Sequence, residues 1–175
     1  MKIIILGSNG LVGNTITKYF FERGDYQTIA ILRDYSKLKL FHEKFHRNFI
    51  VIENIFDYAE TEKIFKSIKP DILINCLGIT NKEILNKTVH FEQFITINSL
   101  FPHRLQRICS DLGARLIQLS TDCIFSGNKG FYSEEDIPDP PDIYGRSKLL
   151  GELNYENTLT IRKSVIGHEL GTKKG

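Results

Sequence analysis

The sequence has 175 residues, of which 41% are hydrophobic and 25% charged, and its 23 basic and 21 acidic side chains give a formal net charge of +2. These values are typical of one soluble globular domain, and they exclude a wholly disordered chain, a collagen-like fibre and a coiled coil. A charge balance this even also argues against a dedicated nucleic-acid-binding protein, which would carry a basic stripe.

The sequence predicts neither a secretion signal nor a membrane span. The first apolar run, residues 3–6, ends at Gly7, which is too soon for a signal-peptide core or a transmembrane helix. The three cysteines, Cys76, Cys109 and Cys123, are an odd number without CxxC spacing. This usage favours reduced thiols, and we therefore expect a cytoplasmic protein without a membrane partner.

Apolar, strand-like runs alternate with amphipathic stretches along the whole chain. The predicted strands are 3–6, 28–32, 49–52, 71–75, 115–119 and 159–161. The predicted helices are 11–23, 36–47, 59–68, 91–112 and 143–155, and an irregular stretch covers 120–142. This alternation predicts one α/β domain over residues 1–175, a doubly wound parallel sheet of the Rossmann type with helices on both faces.

A glycine-rich loop joins the first strand to the first helix. Gly7, Gly10 and Gly13 have the spacing GxxGxxG, in which the first glycine allows a sharp turn, the second a close approach of a diphosphate and the third tight packing of the helix on the sheet. The N-terminus of the helix then offers free N–H groups to phosphates. We expect a dinucleotide to bind here, in contact with Gly7, Asn9, Gly10, Leu11, Val12 and Gly13.

Two residues at the end of the second strand bear on the choice between NADP and NAD. A carboxylate at this place accepts a hydrogen bond from the ribose 2′-hydroxyl, whereas an arginine accommodates a 2′-phosphate. Because Arg33 precedes Asp34, we favour NADP over NAD. Asp57, after the third strand, either reaches the adenine edge or caps the following helix, since aspartate is a preferred N-cap residue.

A second motif places Tyr144 and Lys148 four residues apart, a spacing that brings both side chains to one face of a helix. A neighbouring ammonium favours the phenolate, so we expect Lys148 to lower the pKa of Tyr144 below its reference value of about 10. Such a pair can exchange a proton with an oxygen on a carbon that receives hydride from a nicotinamide. A hydroxyl from Ser120 or Thr121, after the fifth strand, can hold that oxygen.

In combination, these motifs resemble the extended short-chain dehydrogenase/reductase family and, within it, the dTDP-4-dehydrorhamnose reductases and their sugar-nucleotide relatives. The resemblance rests on the blocks 7–13, 75–78, 120–127, 144–152 and 161–162. It implies that the catalytic residues are Thr121, Tyr144 as proton donor, and Lys148. It also implies cofactor contacts from Cys76, Leu77, Gly78, Asn98, Tyr144 and Lys148, and substrate contacts from Thr121, Asp122 and Cys123.

The sequence departs from the family pattern in two places. Cys123 stands where the reductases usually have a tyrosine. Family members also continue well beyond 161–162 to form most of the sugar-nucleotide site, so we expect most of the C-terminal substrate subdomain to be absent. The chain alone is then expected to bind its cofactor but to be slow or inactive in turnover.

The resemblance implies an NAD(P)-dependent oxidoreductase that reduces a 4-keto-6-deoxy sugar nucleotide during the synthesis of surface polysaccharide precursors. One alternative is a sugar-nucleotide epimerase or dehydratase on the same scaffold. Another is a non-catalytic NADP-binding regulatory protein, because the regulatory subunit of methionine adenosyltransferase resembles the same family. The expected partner is a nucleotide sugar, with a homodimer as a further possibility.

One further motif, HExxH at His42–His46, has the spacing of a zinc protease. It falls on the predicted crossover helix 36–47, an outer face of this architecture. Because no companion motif supplies a third ligand, we predict no metal site.

Overall fold

The computed structural model describes residues 1–81 and 90–166 and contains a six-stranded parallel sheet. The strand order is β3-β2-β1-β4-β5-β6, so the order reverses between β1 and β4. This confirms the predicted doubly wound sheet, and each predicted strand agrees with the structure to within one residue at either end. The strands are β1 Lys2–Leu6, β2 Gln27–Leu32, β3 Phe49–Val51, β4 Ile72–Asn75, β5 Arg115–Leu119 and β6 Thr158–Ile161.

Four α-helices flank this sheet in the described residues: α1 Leu11–Arg23, α2 Tyr58–Ile68, α3 Phe101–Leu112 and α4 Ile143–Leu150. Ahead of α3, a helical turn at Phe91–Gln93 and a π-helical segment at Phe94–Leu100 complete the predicted helix 91–112. The predicted helix 143–155 is too long, because α4 ends at Leu150. At Gly151 an added Cβ would overlap the Asn98 carbonyl of the π-helical segment, so the two backbones touch where α4 stops.

The predicted helix 36–47 is wrong, because this segment forms two short 3₁₀ helices, Tyr35–Leu40 and Glu43–Asn48. Between them Phe41 has an extended backbone and is 6% exposed, with its ring centroid 4.5 Å from that of Phe49. A continuous helix would carry this ring away from the core. Burial of Phe41 therefore divides the segment in two.

The core lies on both faces of the sheet, as the nearly continuous apolar strands require. On β1, Ile4 and Leu6 belong to a large cluster that includes Phe65 of α2 and Phe101 of α3. Ile3 and its neighbours on the other face form a smaller cluster against α1. Within residues 1–81 and 90–166, no helix has both the length and the hydropathy needed to cross a bilayer.

Candidate functional site

The glycine loop lies at the carboxyl ends of β1 and β4, where the strand order reverses and where open parallel sheets bind their ligands. Gly7 has φ +73°, a conformation that costs little for glycine alone. A Cβ on Gly13 would overlap the Gly7 carbonyl, so α1 packs directly on the loop. A Cβ on Gly10 would have the Gly7 carbonyl oxygen as its nearest atom in the described chain, at 3.4 Å. Gly7 thus allows the turn and Gly13 allows the close packing of α1. Gly10 leaves space free beside the loop.

A cavity of about 350 Å³ lies between this loop and the ends of β2 and β3, and we call it the β2-side cavity. Arg33, Asp34 and Lys37 contribute its charged side chains together with Glu53, which follows β3. The Asp34 carboxylate accepts hydrogen bonds from the Ser36 amide at 2.8 Å and the Ser36 hydroxyl at 2.7 Å, and these bonds hold the pKa of Asp34 below its usual value. Asp34 is therefore engaged as a helix cap, while Arg33 and Lys37 carry the positive charge of this cavity.

Asp57, for which the sequence left two roles open, caps α2. Its carboxylate accepts a hydrogen bond from the Glu60 amide at 3.1 Å. Its neighbours Ile55 and Phe56 line the β2-side cavity, whereas Asp57 itself is not among the lining residues. The capping role is the one that the geometry supports.

A second cavity of about 380 Å³ continues from the first toward β5, and we call it the β5-side cavity. Asn9, Leu77 and Gly78 line both cavities, so the two form one cleft. Most of the predicted cofactor residues line this cleft: Gly7, Asn9, Gly10, Leu11, Val12, Arg33, Cys76, Leu77, Gly78, Tyr144 and Lys148. Gly13, Asp57 and Asn98 do not.

Lys148 brings a buried amine to the β5-side cavity. Its side chain is 6% exposed, and its Nζ donates a hydrogen bond to the Leu119 carbonyl at 2.6 Å. Burial, together with the nearby Lys163, lowers the pKa of Lys148 to about 8, while Glu152 and Cys76 act in the opposite direction. Proton exchange at this amine therefore falls close to neutral pH.

Tyr144 differs from the expectation in one respect. Burial raises the pKa of its phenol above the usual value, and a hydrogen bond with the Thr121 hydroxyl offsets this only in part. The expectation that Lys148 lowers the pKa of Tyr144 is wrong here, because the Lys148 amine is bonded to the Leu119 carbonyl instead. The Thr121 hydroxyl nevertheless lies near enough to the Tyr144 phenol to act on its pKa.

The predicted substrate residues lie on the segment that follows β5. The Thr121 hydroxyl accepts a hydrogen bond from the Cys123 amide at 3.2 Å and caps the 3₁₀ turn Asp122–Ile124. Asp122 and the exposed Cys123 line a third cavity of about 470 Å³ that reaches Tyr132. A Cβ on Gly145 would overlap the Cys123 carbonyl, so a glycine is required for α4 to approach this segment.

Asn98 supports the cleft from behind its wall. Its side-chain amide donates hydrogen bonds to the Ile79 carbonyl at 2.9 Å and to the Ser147 hydroxyl at 3.0 Å, and its side-chain oxygen accepts one from the Ile79 amide at 3.0 Å. Asn98 is 1% exposed. It therefore fixes the segment after β4 against α4, while the prediction that it contacts the cofactor remains a prediction.

The sequence analysis missed Gln118, which links β5 to the neighbouring β4 beneath the cleft. Asn75 donates a hydrogen bond to the Gln118 side-chain oxygen at 2.7 Å, and Gln118 donates one to the Leu119 carbonyl at 3.0 Å. The Asn75 side chain also accepts a hydrogen bond from the Leu77 amide at 3.1 Å. A glutamine inside the otherwise apolar run of β5 was the signal that could have revealed it.

A second missed network connects α4 to β6. The single N–H of Arg162 Nε donates a bifurcated hydrogen bond to the two Glu152 carboxylate oxygens, at 3.1 and 3.2 Å, and Nη2 donates another at 2.8 Å. The Ser120 hydroxyl donates to the same carboxylate at 2.6 Å. Because Ser120 precedes Thr121, this ion pair holds the start of the candidate catalytic segment in place.

The two histidines of the HExxH motif contact backbone groups of their own segment. His42 caps the second 3₁₀ helix through Nδ1, which accepts a hydrogen bond from the Lys44 amide at 3.3 Å. His46 lies 3.1 Å from the Phe41 carbonyl through Nε2. In the part of the chain that the structure describes, no group of three or more His, Cys, Asp or Glu side chains could hold a metal ion.

A parallel sheet in this strand order, with a glycine turn at its reversal point and a Tyr-x-x-x-Lys helix beside the same cleft, defines a Rossmann-type protein of the extended short-chain dehydrogenase/reductase class. The family model described as the RmlD substrate binding domain matches residues 1–169. The chain belongs to this family, which confirms the resemblance inferred from the motifs.

Solved structures agree with this assignment. A hypothetical dTDP-4-dehydrorhamnose reductase from Sulfolobus tokodaii is 27% identical, superposes with a TM-score of 0.74, and is matched over 93% of this chain and 55% of its own. The dTDP-4-dehydrorhamnose reductase from Bacillus anthracis, solved in complex with NADP, is 23% identical with a TM-score of 0.71 over 92% of this chain and 52% of its own. The second likeness demonstrates the shared fold.

Two curated relatives point to different activities. A probable low-salt glycan biosynthesis reductase from Haloferax volcanii is 31% identical over 87% of this chain and 48% of its own length. The beta subunit of methionine adenosyltransferase 2 from Xenopus tropicalis is 26% identical over 94% of this chain and 47% of its own. The chain thus spans about half the length of the relatives that it matches.

Proposed function

We propose that this chain is the cofactor-binding part of an NADP-dependent reductase that acts on the keto group of a 4-keto-6-deoxy sugar nucleotide, in the synthesis of surface polysaccharide precursors. The observation that carries this proposal is the position of Tyr144 and Lys148, which line the β5-side cavity together with Gly10 of the glycine loop. Proton donor and cofactor cradle thus share one cleft.

The cleft fits a dinucleotide by its shape and donors. Gly10 leaves open space at the N-terminus of α1, where backbone N–H groups can receive a diphosphate. The β2-side cavity has an apolar wall for an adenine ring. We favour NADP over NAD because Arg33 and Lys37 can bind a 2′-phosphate, whereas the Asp34 carboxylate already accepts two hydrogen bonds from Ser36.

In the proposed reaction, the nicotinamide supplies hydride to the carbonyl carbon when NADPH is bound. Tyr144 gives its proton to the carbonyl oxygen, which completes the alcohol, and the Thr121 hydroxyl holds that oxygen by a hydrogen bond. Lys148, which lines the same cavity, binds the nicotinamide-side ribose.

Calorimetry tests the cofactor assignment directly. We expect the chain to bind NADPH more tightly than NADH, and Arg33→Ala to lose about 10-fold or more in NADPH affinity, because a hydrogen bond to a charged group contributes about 1.5–3 kcal/mol. Arg115→Ala, an exposed arginine at the amino end of β5, is the matched control and should bind both cofactors normally. Equal affinities for NADH and NADPH in the unaltered chain would contradict the preference for NADP.

A regulatory, non-catalytic role is the second candidate, favoured by the match to the beta subunit of methionine adenosyltransferase 2. The two candidates differ in an assay of NADPH oxidation with a 4-keto-6-deoxy sugar nucleotide. A reductase should show turnover, slow in this chain alone, that Tyr144→Phe lowers by about 10²–10⁴-fold. Tight NADPH binding with no turnover that depends on Tyr144 would favour the regulatory protein.

A further inference from the structure

Lys163 occupies a distinctive position beside the cleft. It is the second residue after β6, its side chain is half-buried, and it lines both the β5-side cavity and the third cavity. Its backbone is held in place because its carbonyl accepts a hydrogen bond from the Asp122 amide at 3.3 Å. Lys163 thus lines the same cavity as the glycine loop, but from the segment after β6.

The described surroundings of this amine in the β5-side cavity contain another amine but no carboxylate. Among the residues that the structure describes, Lys163 Nζ has neither a hydrogen bond nor an ion pair. No aspartate or glutamate belongs to the described lining of the β5-side cavity, whereas Lys148 faces the same space. Asp122 and the Cys76 thiol act on Lys163 from nearby, and burial lowers the pKa of Lys163 below its usual value.

Two amines that share a cavity without a carboxylate favour an anionic ligand, because an anion relieves their mutual repulsion. The same cavity is bounded by Gly10, Leu11 and Val12 at the N-terminus of α1, whose free N–H groups also favour negative charge. Positive groups therefore border this space from two elements, the start of α1 and the segment after β6.

We propose that Lys163 is a further cofactor-binding residue, which binds the nicotinamide-side phosphate of the dinucleotide across the cavity from the glycine loop. This inference rests on the proposed binding of NADP. It adds a contact from the segment that follows β6, whereas the other proposed donors to the diphosphate belong to the loop after β1 and the start of α1. The diphosphate is then held from both walls of the cleft.

Lys163→Met tests the contact, because it removes the charge and keeps most of the side-chain length. We expect this variant to lose about 10-fold or more in NADPH affinity, the size expected for a hydrogen bond to a charged group. Binding of adenosine 2′,5′-bisphosphate, which lacks the nicotinamide-side phosphate, should be unchanged. Lys163→Arg should retain NADPH binding, and Lys18→Met, an exposed lysine on α1, is the matched control.

The outcomes separate this inference from the proposal on which it rests. Unchanged NADPH affinity in Lys163→Met would overturn the contact while leaving the proposed cofactor intact. An equal loss for NADPH and adenosine 2′,5′-bisphosphate would also overturn it, because it would indicate a general effect of charge or folding. An unaltered chain that binds neither ligand would overturn the proposed function itself.

Discussion

The β2-side and β5-side cavities are halves of one cleft, but they are built in different ways. In the β2-side cavity, Asp34 is tied to Ser36, two residues away. In the β5-side cavity, the supporting hydrogen bonds join residues far apart in the chain: Asn75 with Gln118 across 43 positions, and Lys148 with Leu119 across 29. The charged end of the first half is therefore held by a local turn, whereas the second half depends on hydrogen bonds between distant parts of the chain.

The largest expected effect on cofactor binding comes from Gly10, which lines the β5-side cavity and follows Asn9, one of the residues shared by the two halves. A valine would project into the space that the diphosphate needs, and crowding of this kind commonly costs about 1–3 kcal/mol or more. We expect Gly10→Val to weaken NADPH binding by about 100-fold or more, beyond easy detection. The melting temperature should hardly change, because a Cβ on Gly10 would lie 3.4 Å from its nearest atom in the described chain.

Retained NADPH binding in Gly10→Val, with an unchanged melting temperature, would mean that the diphosphate does not pass over this loop. The smaller variant Gly10→Ala serves as a graded control. It should lose less affinity than the valine, because a single methyl group projects less far into the cleft.

The buried amine of Lys148 gives the β5-side cavity a pH signature. Its pKa is about 8 in the folded chain, below the 10.5 of a free lysine, so between these values the unfolded chain binds more protons and stability rises with pH. Compared with Lys148→Met, the unaltered chain should therefore gain up to about 3 kcal/mol in unfolding free energy between pH 8 and 10.5. Denaturant titrations at several pH values measure this difference, and parallel pH profiles of the two proteins would contradict it.

A smaller effect is expected at Gln118, which couples β4 and β5. Gln118→Leu leaves the buried Asn75 amide without its partner, a loss that costs about 1–3 kcal/mol. The matched control is Gln27→Leu, on the exposed start of β2, which should change stability little. Urea titrations compare the two variants, and equal effects would indicate that the buried network does not stabilise the β5-side cavity.

The sequence was sufficient to predict the sheet and the turn of the glycine loop. Runs such as 3–6 are apolar at every position, a pattern typical of a strand buried on both faces, and the glycine spacing follows from a turn only a few residues long. It failed over residues 36–47, where helical periodicity was overridden by burial of Phe41 against Phe49. The local sequence pattern does not reveal this contact, because the contact depends on where β3 lies in the folded chain.

The β5-side cavity was harder to predict, because its contacts also join residues that are distant in the sequence. Tyr144 and Lys148 could be paired by their spacing, but the carbonyl that Lys148 binds belongs to β5, and the burial that raises the pKa of Tyr144 depends on the whole fold. Neither Gln118 nor Lys163 belongs to a recognisable sequence motif. Their positions become meaningful only when β5 and β6 lie side by side.

The exposed thiol of Cys123 has a practical consequence. Burial raises the pKa of the Cys76 and Cys109 thiols to about 12, which keeps both in the unreactive thiol form, whereas Cys123 is exposed on the turn that touches Gly145. A maleimide dye should therefore attach at this one position without prior mutagenesis. The protein thus carries a built-in attachment point for a fluorescent reporter, within one turn of Thr121, from which ligand arrival could be followed in real time.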